Sequence, residues 1–185
     1  MKEAMRLEEL YFAYGSNLNL GQMAVRCPQA GVVGKAVLEG YELAFRRGVL
    51  TILPKEGSRV NGLLWRVNAW DELTLDRYEG YPHLYTKELL PVRTDSGPQT
   101  VVAYVMTAPY CERTQPPTST YLQTVLAGYR LAGFEPKAVL QAAARPTDVQ
   151  THSPNRTPPG TARQLTHSPP PPRHARLAPI AARAL

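Results

Sequence analysis

A chain of 185 residues with 43% hydrophobic and 19% charged residues has room for one well-buried domain, and this composition excludes collagen-like, wholly disordered and membrane-bundle classes. The formal charge of +6 suggests an anionic partner only until it is divided along the chain: residues 1–145 carry 16 Lys and Arg against 14 Asp and Glu, whereas 146–185 carry five Arg against Asp148 alone. Most of the basicity lies in the tail, so nucleic acid is not expected as a partner except through that tail.

No apolar run approaches the roughly 18 residues of a membrane span. Residues 1–10 hold three glutamates, two of them adjacent, where a secretory leader would be apolar, and a cytoplasmic protein with no membrane partner is expected. Cys27 and Cys111 lie far apart without CxxC spacing, which predicts reduced thiols rather than a disulfide framework or a cysteine zinc site.

In chain order, residues 10–14 read as a short buried strand, followed by Gly15-Ser16-Asn17 and a helical stretch over 20–26 that Pro28 closes. Further strands are predicted at 32–38, 41–45, 49–53 and 60–67, punctuated by Gly40, Gly48 and Gly57. A helix follows over 69–79, with Asn68 or Asp71 as its cap and Gly80 and Pro82 ending it. Residues 84–92 and 100–107, separated by Asp95-Ser96-Gly97, have hairpin spacing. Residues 109–117 read as a loop, Thr120 and Gln123 as a capping box opening a helix that Gly133 ends, and 136–144 as a last short helix. Strands first and helices last predict an α+β class. Trp65, Trp70 and Tyr104 read as core, while the Arg46-Arg47 pair and His83 read as solvated.

The remaining segment, 146–185, holds half of the 18 prolines, three of the four histidines and no Phe, Trp or Tyr. So few apolar side chains cannot offset roughly 1–2 kcal/mol of backbone entropy per residue. The expected organisation is a globular domain over 1–145 and a disordered Pro/Arg-rich tail over 146–185 with stretches of polyproline II.

Two places can carry chemistry. At the strand-turn-helix corner of Tyr14 to Asn19, successive backbone N–H groups can converge on a carboxylate, phosphate or oxyanion, with Gly15 permitting close approach; a plain Asn or Ser cap is the other reading. Glu79 ends a predicted helix beside Asp76 and among Tyr78 and Tyr81. The negative end of the helix dipole and partial burial would both raise its pKa, as a general base working near neutrality requires, whereas a solvated surface acid is the alternative.

The ordered segments Tyr11-Phe12-Ala13-Tyr14-Gly15-Ser16-Asn17-Leu18, Arg26-Cys27-Pro28, Gly62-Leu63-Leu64-Trp65 and Leu75-Asp76-Arg77-Tyr78-Glu79-Gly80-Tyr81-Pro82 resemble the γ-glutamylcyclotransferase, or AIG2-like, family. Tyr85, the strand Ala103 to Thr107 and the helix entry at Pro117 to Tyr121 extend the resemblance to roughly residues 9–135. It implies a compact mixed β-barrel flanked by helices, with a pocket at one end. It also implies a small-molecule γ-glutamyl substrate, whose own α-amine attacks the γ-carbonyl to give 5-oxoproline and a free amine or amino acid, without metal or cofactor. In that scheme Glu79 is the proton shuttle, and Tyr14, Gly15, Ser16, Asn17 and Leu18 hold the α-carboxylate or oxyanion. Tyr85 and Tyr121 then donate hydrogen bonds to the substrate or wall it from water. The amine side is open among an amino acid, an amine and a protected natural product. A non-catalytic binding or regulatory module of the same fold is the competing reading. Truncation after Arg145 is expected to leave turnover of a γ-glutamyl substrate unchanged, a result that steady-state assays of the two lengths would read directly.

Overall fold

Strands whose apolar side chains are buried on both faces need cover on both, and closing a sheet on itself supplies it on one side. The computed structural model describes residues 8–145 of the chain; the predicted tail over 146–185 lies outside the described residues. Its strands are β1 (Glu9–Ala13), β2 (Gly31–Arg46), β3 (Val49–Val67), β4 (Tyr85–Thr94) and β5 (Gly97–Met106), and they close as a barrel in the order β1-β3-β2-β4-β5. Neighbours are antiparallel except where β1 meets β5 in parallel, Tyr11 opposite Val102. The flanking helices are α1 (Leu20–Arg26), α2 (Ala69–Glu79), α3 (Ala108–Cys111), α4 (Ser119–Leu131) and α5 (Lys137–Ala143), and a 3-10 turn spans Ser16–Leu18. Phe12, Phe45, Leu38, Ile52 and Leu64 fill the core from the strands, and Leu18, Met23, Leu75 and Tyr129 enter it from the turn and helices. Among the described residues no helix is long and apolar enough to cross a membrane.

Several expectations are corrected. The four predicted strands over 32–67 are two long ones. Gly40, at φ +77°, sits where β2 partners jump from Arg59, opposite Glu39, to Pro54, opposite Tyr41, so it makes a bulge instead of a stop. Residues 109–117 are not wholly loop, because Pro109 is tolerated in the first turn of the short α3. The cap of α4 is Thr118, whose Oγ1 accepts the Tyr121 N–H at 3.2 Å; Thr120 lies inside the helix, where its carbonyl accepts from Thr124. Trp65 and Tyr104 are buried, but Trp70 stands on the outer face of the first turn of α2, 69% exposed.

Two features set the positions of the elements that carry the site. Asn68 caps α2 by accepting the Trp70 and Asp71 N–H groups, and Gly80 ends it in the left-handed conformation at φ +66°, its N–H donating to Arg77. At the other side, α4 crosses the 3-10 turn so closely that a Cβ on Gly128 would lie 2.8 Å from the Asn19 nitrogen and 2.9 Å from the Leu18 Cβ. Since both obstacles belong to packed backbone and core, Gly128→Ala is expected to cost about 1–3 kcal/mol and to lower the thermal midpoint by several degrees in circular dichroism melts.

Candidate active site

Strand β1 delivers Tyr14 to the barrel end, where two long-range hydrogen bonds fix it. Its hydroxyl donates to the Tyr104 carbonyl at 2.5 Å, and its own carbonyl accepts the Tyr129 hydroxyl at 3.1 Å. The chain then turns, with Leu18 N–H donating to Gly15 and Asn19 N–H to Ser16. The N–H groups of Ser16 and Asn17 start that turn, so the turn itself has no acceptor for them. Tyr14, Gly15, Ser16 and Asn17 line a cavity of about 210 Å³, and Glu79, Tyr85 and Tyr121 line it too. That volume is below the roughly 300 Å³ at which sites for drug-sized ligands begin. It suits a ligand of amino-acid size.

Leu18 does not join them. Its side chain is fully buried against α4, and its N–H is taken by Gly15. Its apolar side chain belongs to the core that holds the turn, not to the cavity.

Glu79 is the last residue of α2 and keeps some surface toward the cavity, but packed protein surrounds its carboxyl. The loss of water disfavours the charged form and pushes its pKa up to about 7, against the lowering influence of the Arg26 charge and of a hydrogen bond from Asn17. Burial, not the helix dipole, is thus the leading cause. Asn17 Nδ2 donates to Glu79 Oε1 at 3.0 Å and to the Tyr11 hydroxyl at 2.8 Å. Oε2 has no hydrogen-bond partner among the described residues. Asp76, expected beside Glu79, turns to the barrel wall, accepting the Tyr104 hydroxyl at 2.6 Å and pairing with Lys87 at 2.8 Å.

The two expected donor tyrosines differ. Tyr85 donates its hydroxyl proton to the Leu50 carbonyl at 2.8 Å, whereas the Tyr121 oxygen accepts the Leu50 N–H at 3.3 Å and keeps its proton to give. Both grip one residue of β3, Leu50, from its two flanking peptides. Tyr11 resembles Tyr121 in this respect, because its oxygen accepts from Asn17. Burial raises the pKa of all three, so their protons stay in place near neutrality.

Sequence reasoning gave Tyr11, Tyr104 and Arg26 no part in the site, although Tyr11 and Arg26 stand in the segments that carried the resemblance. Strand alternation carried no signal for Tyr11, because Tyr11, Phe12 and Ala13 are all buried in succession and both faces of β1 read as core. Arg46 donates to the Phe45 carbonyl and Thr114, Arg47 stacks at Tyr110, and His83 is exposed and outside the cavity lining. Among the described residues no group of three or more His, Cys, Asp and Glu side chains is placed to hold a metal ion.

Residues 11–123 match the family model described as gamma-glutamyl cyclotransferase, AIG2-like. The chain belongs to that family. Gamma-glutamylcyclotransferases of Homo sapiens and Mus musculus are 30% and 31% identical to it over 138 residues, which span 68% of this chain and 72% of theirs. A solved structure named gamma-glutamyl cyclotransferase aligns with 80% of this chain and 94% of its own at 26% identity and TM-score 0.65. YkqA from Bacillus subtilis, at 22% identity and TM-score 0.62 over 74% of this chain and 53% of its own, shares the fold. The five-stranded barrel with flanking helices is therefore the family's architecture, and this family member is an enzyme of the γ-glutamylcyclotransferase type.

The buried carboxyl has a thermodynamic signature. Glu79 titrates near 4.5 when unfolded and near 7 when folded. Below pH 4.5 it is protonated in both states and burial of its charge costs nothing. As pH rises from 4.5 to 7 the unfolded state ionises first, so stability is lost across that window and the loss is constant above it. Glu79→Gln is expected to raise unfolding stability by about 2 kcal/mol at pH 8 and by little at pH 4.5, which urea denaturation at the two pH values measures; a variant less stable than the parent at pH 8 would contradict the burial argument.

Proposed function

We propose that the enzyme converts a small γ-glutamyl compound to 5-oxoproline and a free amine or amino acid by intramolecular aminolysis, with Glu79 moving the proton. The observation that carries this reading is that a carboxyl with a pKa near 7 shares one small cavity with the Gly15 to Asn17 turn. The substrate's α-amine is an ammonium ion at neutral pH and has no lone pair until a base takes a proton. Ionised Glu79 takes it, the freed nitrogen adds to the γ-carbonyl, and negative charge develops on that oxygen. Collapse breaks the γ-carbon to nitrogen bond; the departing nitrogen receives the proton that Glu79 carried and leaves as an amine. The ring nitrogen gives its surplus proton to the again-ionised Glu79, which passes it to that amine, leaving the neutral lactam and an ammonium product.

Because nucleophile and carbonyl belong to one molecule, the protein's main task is to hold the chain folded, and effective molarities in such closures reach about 10⁵–10⁸ M. The Ser16 and Asn17 N–H groups are the donors suited to the oxyanion or the α-carboxylate. Tyr121 and Tyr11 supply hydroxyl protons, and Tyr85 supports the wall through Leu50. A general-base contribution is typically about 10²–10⁴-fold. Glu79→Gln should lower 5-oxoproline release from γ-glutamyl dipeptides and amines by that factor while substrate binding, read by calorimetry, is retained. For the parent, kcat/KM should fall with decreasing pH below about 7, as Glu79 takes up its proton. Equal turnover by both proteins would end the proposal.

A further inference from the structure

Arg26 lies outside the cavity lining yet touches groups on both sides of it. Its Nη1 donates to Asn17 Oδ1 and, at 3.2 Å, to Ser16 Oγ. Its Nη2 donates to Gln22 Oε1, one turn back on α1, at 2.5 Å. The guanidinium carbon sits 3.5 Å from the centroid of the Tyr78 ring, on the residue that precedes Glu79. One side chain thereby joins the turn after β1 to the end of α2.

The chemistry of the guanidinium restricts Asn17 further. A guanidinium has donors and no acceptor, so the side of the Asn17 amide that faces it must be the oxygen. The amide is planar, and its NH₂ is therefore directed toward the Tyr11 hydroxyl and Glu79 Oε1. The flipped amide would set NH₂ against the guanidinium and Oδ1 against the carboxylate, two repulsions in place of two hydrogen bonds. With Oε1 already holding a donor, Oε2 is the oxygen left to exchange a proton. We propose that Arg26 is a positioning residue that fixes the orientation of the Asn17 amide and so directs proton exchange with the substrate to Oε2 of Glu79.

This inference rests on the reading of Glu79 as the proton shuttle. The groups facing Glu79 from the surrounding elements are Arg26 from α1, Tyr11 and Tyr14 at the end of β1, Tyr85 from β4, Tyr104 from β5 and Tyr121 from α4. Burial keeps the tyrosines neutral near pH 7, and Asp76 on the same helix is engaged by Lys87 and Tyr104. Arg26 is thus the cation among the described residues that acts on the Glu79 carboxyl.

The test is a ¹³C NMR titration of the Glu79 carboxyl in ligand-free, full-length protein, assigned by its loss in Glu79→Gln, alongside the pH dependence of kcat/KM. Arg26→Gln should raise the carboxyl midpoint by about one pH unit or more, move the acid limb of kcat/KM with it and lower kcat. Arg26→Lys, which keeps the charge and an acceptor-free head, should restore the midpoint most of the way to the parent's. An unchanged midpoint in folded Arg26→Gln overturns the proposal, and an equal rise in the Lys variant overturns the orienting part of it. Should Arg26→Gln not fold, Asn17→Ala reads the same connection with Arg26 intact: its midpoint should rise, and a parent-like value overturns the proposal. The titration needs no turnover, so it separates a failure of the Arg26 inference from a failure of the shuttle reading, which full activity in Glu79→Gln would expose.

Discussion

A carboxyl group that has to carry charge where water is scarce depends on whatever the protein offers in place of water. At the end of this barrel the replacement is sparse by design of the surroundings: one amide hydrogen from Asn17 and one nearby guanidinium, set against a ring of neutral tyrosines. Full solvation by several donors would hold the acid well below neutrality and leave it a feeble base, and none at all would leave it permanently protonated. The intermediate value near 7 comes from this incomplete compensation.

The same balance explains why the site is assembled from segments 62 residues apart. Asn17 and Glu79 meet because β1 is clamped between β3 and β5, and α2 packs back over the barrel through buried Leu75. Neither segment makes a cavity alone. The Tyr14 hydroxyl bond to β5 and the Tyr129 bond from α4 fix the turn from two further directions, so the distance between amide and carboxyl is a property of the closed barrel.

Much of this was legible in the sequence, for reasons that can be named. The helix over 69–79 carries its own start and stop in Asn68 and Gly80, and both cap it as expected. The helix over 20–26 and the hairpin around Asp95 to Gly97 were equally local. Legibility failed where a local signal had a tertiary meaning. Gly40 resembles a strand end but is a bulge, because the partner strand continues past it. Trp70 resembles core by composition, yet its place in the first turn of α2 turns it to solvent. Leu18 stands within the stretch that lines the cavity, but a 3-10 turn points successive side chains in different directions and sends this one to the core. Arg26 showed no sign of its connection to Glu79, since a lone arginine near a helix end reads as surface charge until Asn17 and Tyr78 are brought against it.

The tyrosines carry the argument one step further. Two side chains of the same type approach the same residue, Leu50, and their hydrogen-bond directions make them unlike. Tyr85 gives its proton to the Leu50 carbonyl, while Tyr121 receives the Leu50 N–H and has a proton left over. Residue identity therefore does not decide which hydroxyl can address a ligand; the polarity of the backbone group it meets does. Gly15 and the Tyr121 oxygen line the same cavity, and that oxygen lies 3.8 Å from where a Cβ on the glycine would sit. The absence of a side chain there leaves the donor open to the cavity. Gly15 and Tyr121 are in that sense one device, a gap and the hydroxyl it uncovers.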